Sequence, residues 1–284
     1  MLDIVRHRPF VSFAALAHVG SWLFWSPAWL GRNGLGVLPI ELTFGQVALV
    51  NQLGLFAGPF AAALLVTRAC EGSVRPLWRR MVRVRVRPFA YVIALLLVPL
   101  AVLGAAAAFG AVPASGSDVG RTVVTVLVTY VVFILGGPLQ EEPGWRGVAL
   151  PRLQERWHPA AAAVLLGVVW TFWHAPLFLV REWDTPRGSV RDLVAYLLFV
   201  VALSVVMSWL TNVADGSVAL AILGHNSVNW TLVALVPALT GGAPSSMWPG
   251  ALGVGVLAVL ALVATRGRLG RPGQEPTRGA SRIS

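Results

Sequence analysis

The sequence predicts an all-α fold: a polytopic membrane helical bundle of about eight transmembrane helices with both termini cytoplasmic. Three observations predict it. Of 284 residues, 56% are apolar and only 12% charged, about half the ~25% charge usual in soluble domains. The apolar residues fall in long runs without polar low-complexity tracts, which excludes a disordered chain as well as a pair of soluble domains. The charge is also one-sided. All 22 basic residues are Arg, against 12 acidic ones, and seven of them (Arg68, Arg75, Arg79, Arg80, Arg83, Arg85 and Arg87) crowd one stretch between two apolar runs.

A helix needs ~20 mainly apolar residues to cross the hydrocarbon core, and eight segments satisfy that rule: residues 10–30, 43–66, 88–112, 122–140, 160–180, 193–210, 218–239 and 251–264. The first is too long and Trp-rich for a signal-peptide core, so it reads as a retained span. The last is short and interrupted by Gly. Residues 1–264 thus form one transmembrane domain, and 265–284, rich in Arg, Gly and Pro, read as a mobile cytoplasmic tail. With the N-terminus inside, 17 arginines lie on the inner side, Arg146 among them, and five on the outer, as the positive-inside rule requires. The basic loop meets anionic lipid favourably, so membrane lipid is the expected partner and nucleic acid is not. Cys70 is the only cysteine, which precludes an internal disulfide or a thiolate cluster. The all-Arg, Ala-rich composition points to a GC-rich bacterial genome and hence to a multi-pass protein of a bacterial plasma membrane.

Ionisable side chains within spans are costly and invite a functional explanation. Three segments carry them: Gln140-Glu141-Glu142-Pro143-Gly144-Trp145-Arg146, Trp170-Thr171-Phe172-Trp173-His174, and His225-Asn226-Ser227-Val228-Asn229. Glu142 and Arg146 stand four apart in the favourable order for a helical ion pair, which leaves Glu141 free for chemistry. His225 and Asn229 share a helix face. His18 has no polar companion at helical spacing and reads as a packing residue. A carboxylate, two imidazoles and a carboxamide are the parts of a water-activating hydrolase. The alternatives are interhelical hydrogen bonding alone, as in an idle immunity or scaffold protein, and a proton-coupled transporter, which the lack of paired discontinuous spans disfavours. At 1.5 Å per residue, Glu141 lies ~14 Å from a helix end at Leu150, where Pro151 is expected to stop the helix, and His174 ~22 Å from Pro159. A kink at Pro143-Gly144 is expected to open a wet pocket from the cytoplasmic side.

At these residues the sequence resembles the CAAX-protease and bacteriocin-processing (CPBP) family of intramembrane endopeptidases, over roughly residues 123–239. Glu141, Glu142 and Arg146 match its first motif, continued by Gly147 to Leu153. Trp170 and His174, with three residues between them, match the second, with Trp where Phe is usual. His225 and Asn229 match the third. The resemblance implies peptide-bond hydrolysis near the cytoplasmic face of the membrane, on a protein or peptide substrate that has a membrane-associated or lipidated segment. Glu141 is then the general base on a water shared with His174, His225 and Asn229 donate to the oxyanion, and Glu142 and Arg146 support the first motif. No cofactor is required in that reading. A Zn²⁺ version, ligated by Glu141, His174 and His225 with one open position, is the alternative, although no His-Glu-x-x-His helix is present.

Overall fold

The computed structural model describes residues 2–111, 119–183, 185–241 and 246–271. The end assigned to the third span at Val112, the loop residue Asp184, and the tail from Pro272 onward with Arg278 and Arg282 lie outside the described residues. Among those described there is no strand. The apolar segments form nine main helices: α1 (Pro9–Trp29), α2 (Phe44–Glu71), α3 (Pro88–Ala108), α4 (Val119–Ile134), α5 (138–154), α6 (Pro159–Trp173), α7 (Val190–Val213), α8 (Val218–Thr240) and α9 (Trp248–Ala264). Counting Val123–Gln154 as one run, five are long and apolar enough to cross a bilayer: that run, α2, α3, α7 and α8. At 15 residues, α6 rises only ~22 Å, and a short 3₁₀ turn, Ala175–Leu179, prolongs it.

The sequence sets several helix ends directly. Thr43 caps α2 and Ser189 caps α7, each in a reciprocal box with the residue three ahead, Gln46 and Asp192, which satisfies otherwise unpaired amide groups. Proline placement sets the interior geometry. Pro99, Pro151 and Pro237 each follow by two residues a five-residue π-helical segment (Ile93–Leu97, Trp145–Ala149 and Thr231–Leu235), and Pro59 lies inside a fourth, Phe56–Phe60. Proline lacks an N–H and its ring clashes with the carbonyl four residues back. A widened turn moves that carbonyl aside, so the helix continues.

Two expectations are corrected here. Pro151 does not end the fourth helix: α5 runs on to Gln154, because the π segment ahead of Pro151 absorbs the clash. Nor does the distortion sit at Pro143-Gly144, which stays α-helical. The chain instead turns at residues 135–137, splitting the expected fourth span into α4 and α5, and widens just after Gly144. Gly137 has φ 151°, a left-handed region that side chains avoid. The eight expected segments are therefore all helical, but the fourth is two helices with different surroundings.

In the bundle α6 packs on α7, α7 on α9, α9 on α3 and α3 on α8, while α1 pairs with α2. Between these groups lies α5, against α1, α2 and α8, whereas α4 leans chiefly on α8. Loops gather at two ends. At the arginine-rich end, Arg83 Nη1 and Ser217 Oγ donate to the carbonyls of Asp215 and Arg83, and Glu71 pairs with both Arg80 and Arg152. Residues 265–271 pack back there, with Leu269 fully buried and Arg271 bonded to Gln154. At the opposite end the buried Asn33 donates to Glu182 Oε1 at 2.7 Å and to the Leu42 carbonyl, tying loop 30–43 to loop 180–189.

Candidate active site

The three segments singled out in the sequence converge around α5. Its residues from Gln140 to Leu150 are all buried, including Glu142 at 0% and Arg146 at 1% exposure. Arg146 is therefore a core residue and does not count towards the basic bias of the inner loops. Gly144 permits this depth, since a Cβ there would stand 2.7 Å from the Phe13 ring and 2.8 Å from the Pro59 carbonyl.

The two adjacent carboxylates have separate partners. Glu142 Oε1 accepts from Arg146 Nη1 at 3.0 Å and faces His225 Nδ1 at 2.8 Å. Glu141 Oε2 accepts from the Trp170 indole at 2.9 Å, and its other oxygen is not engaged by any side chain among the described residues. A buried carboxylate needs a counter-charge; Arg146 supplies it to Glu142, one helical turn away. Trp170 is the hub of the cluster. Its ring carries the Arg146 guanidinium 4.3 Å from its centroid, a cation–π contact, and meets the His225 ring edge-on at 5.2 Å.

His174 is the C-terminal cap of α6. Its Nδ1 lies 2.9 Å from the Trp170 carbonyl. A carbonyl only accepts, so Nδ1 carries the proton, and in the neutral ring Nε2 keeps its lone pair. Trp183 stacks on the ring, with Trp173 and Tyr196 edge-on to it. Depth is consistent once α5 is followed to its true end: Glu141 is thirteen residues, ~20 Å, from Gln154, and His174 is ~22 Å from Pro159. The 8 Å mismatch implied by a stop at Pro151 disappears.

Glu141, Glu142, Arg146, Trp170, His174 and His225 thus form one cluster. Asn229, one helical turn past His225, is partly exposed and makes no hydrogen bond among the described residues. Its neighbour Asn226, which sequence reasoning passed over, is buried and donates to the Tyr130 carbonyl at 2.9 Å. Also missed was Gln140, whose amide bonds both Gln52 Oε1 and the Leu135 carbonyl and so secures the turn between α4 and α5. The only signal available for either was adjacency to a motif residue. No group of three or more His, Cys, Asp or Glu placed to hold a metal ion occurs among the described residues. Glu141, His174 and His225 are thus not arranged as a ready ligand set.

A carboxylate held by an indole, two imidazoles and a buried ion pair, all in a helical bundle, are a side-chain set compatible with a membrane-embedded hydrolase. Residues 123–231, which hold all three motifs, match the profile of the Rce1-like family, described as type II CAAX prenyl endopeptidase Rce1-like. The chain is also similar to CAAX prenyl protease 2 of Methanococcus maripaludis, 24% identical over 239 residues that cover 81% of this chain and 85% of the relative. The chain is thus a multi-pass membrane protein that is similar to CAAX prenyl proteases.

Proposed function

We propose that this protein is an intramembrane endopeptidase that uses Glu141 to activate water against a peptide bond of a membrane-associated or lipidated substrate. The name of the archaeal relative adds a prenylated C-terminal tail as the first substrate class to try. The observation that carries the reading is the difference in partners between the carboxylates: Glu142, fully buried, is tied through Oε1 to Arg146 and His225, while Glu141, 5% exposed, is held only by the neutral Trp170 indole.

In this mechanism Glu141 takes a proton from a water held jointly with His174 Nε2, and the hydroxide adds to the scissile carbonyl carbon. Negative charge moves to the carbonyl oxygen. His225 Nε2 and Asn229 are the donors assigned to it; for His225 to donate, that nitrogen must be protonated, with Glu142 as counter-ion. Collapse of the intermediate breaks the C–N bond, and the proton held by Glu141 passes to the leaving amine. Trp170 orients the base. In this reading substrate reaches the site from the arginine-rich end, which the charge distribution assigns to the cytoplasm of a bacterial cell.

Glu141→Gln tests the assignment. It is near-isosteric and keeps an acceptor for Trp170, so thermal stability in detergent should hold while cleavage falls by about 10²–10⁴-fold. Cleavage at the unaltered rate sinks the base assignment, whereas a parent protein that cleaves nothing favours an idle scaffold. Elemental analysis of active, chelator-treated enzyme addresses zinc: activity that leaves and returns with one equivalent of zinc overturns the metal-free version.

A further inference from the structure

The arginine-rich segment after α2 is not spent on the function proposed above. It begins with a short helix, Arg75–Met81, and runs on in irregular backbone to Arg87. Arg75, Arg79, Arg85 and Arg87 are exposed, and their side chains have no ion pair or hydrogen bond among the described residues. Between them stand exposed apolar side chains, Trp78 at 58%, Val82 at 57% and Val84 at 55%, and Phe89 at 50% follows at the start of α3. Free phosphate or nucleic acid would have no use for that apolar set. A phospholipid has, because its phosphate meets the arginines while the aromatic and aliphatic groups lie at the acyl boundary.

The same segment is fastened to the helix that carries Glu141. Leu77, at 1% exposure, points inward, and a Cβ added at Gly147 would stand 2.6 Å from its methyl group. Gly147 is the centre of the π segment Trp145–Ala149, one residue past Arg146. A second fastening is ionic: Glu71, at the end of α2, takes Arg80 from the short helix at 3.6 Å and Arg152 from α5 at 3.3 Å. A π segment is a local widening of the helix, so the residue that fills the space beside it bears on how tightly α5 is held.

We infer that residues 75–87 form a docking site for anionic phospholipid headgroups, keyed to α5 through Leu77 at Gly147 and through Glu71, so that headgroup binding stiffens the helix carrying the Glu141-Glu142 pair. The inference does not depend on the proteolytic reading. It is tested on the purified full-length protein after delipidation, with phosphatidylglycerol and phosphatidylcholine as the probes.

Native mass spectrometry should show phosphatidylglycerol retained over phosphatidylcholine. The triple change Arg75→Gln, Arg79→Gln and Arg85→Gln should weaken that retention by about a hundredfold, or about fivefold per arginine. The same three positions changed to Lys keep the charge and should keep most of the retention, which guards against a folding defect in the Gln variant. Hydrogen exchange across residues 138–154 should slow on adding phosphatidylglycerol. In Leu77→Ala it should not slow, although the lipid still binds. Equal retention of the two lipids, unchanged retention in the Gln variant, or the same effect from inorganic phosphate overturns the headgroup site. Equal slowing in Leu77→Ala overturns the coupling.

Discussion

α4 and α5 follow one another in the chain, separated by three residues, and live in opposite environments. On α4, Val124, Leu127, Val128, Val131 and Val132 are each more than half exposed. It is held to α8 largely through its own carbonyls, with Asn226 bonded to that of Tyr130 and Trp230 Nε1 to that of Val126 at 2.8 Å. On α5, two glutamates and an arginine are buried along with everything around them. In a water-soluble protein the apolar helix would be inside and the charged one outside. In a bilayer the solvent is apolar, so valine faces outward and the ionisable groups must be compensated within the bundle. Exposure here follows the solvent, and the buried charge lies where the proposed chemistry is placed.

This contrast can be broken at graded cost. The largest effect is expected for Glu142→Ala, which strands the buried Arg146: a loss of about 3–5 kcal/mol of stability, read by reversible unfolding in detergent, with loss of activity. Gly144→Ala forces a methyl group against Phe13 and the Pro59 carbonyl and should cost about 1–3 kcal/mol, seen as a lowered unfolding midpoint. On α8, Trp230→Phe removes one interhelical bond to α4 and should cost about 0.6 kcal/mol, with cleavage largely retained. Val128→Ala, on the lipid face of α4, should stay within about 0.5 kcal/mol of the parent. If Val128→Ala proved as damaging as Gly144→Ala, the difference in environment described here would be wrong.

The sequence by itself determined what is local or compositional. Hydropathy over windows of ~20 residues was enough to mark the apolar helical segments. The charge pair Glu142–Arg146 was legible because residues four apart on a helix meet wherever the helix lies. The capped starts of α2 and α7 are local in the same way. Motif spacing located Glu141, His174 and His225, and residues 123–231 are where the family profile matches.

Only the tertiary structure decided what joins residues distant in the chain. Trp170 reaches Glu141 across 29 residues, and His225 reaches Glu142 across 83; neither pairing leaves a periodic trace, because it depends on which helices pack together. The helix ends around the site were decided there too. Pro151 reads locally as a stop, yet a π segment lets α5 continue, and His174, inside an apolar run that extends to Val180, caps a helix that stops before that run does. Asn229, paired with His225 by spacing, makes no hydrogen bond among the described residues, since a shared helix face sets direction but not what waits there. Backbone hydrogen bonding and side-chain periodicity act over a few residues and are written in sequence. Packing of one helix against another is a property of the whole bundle.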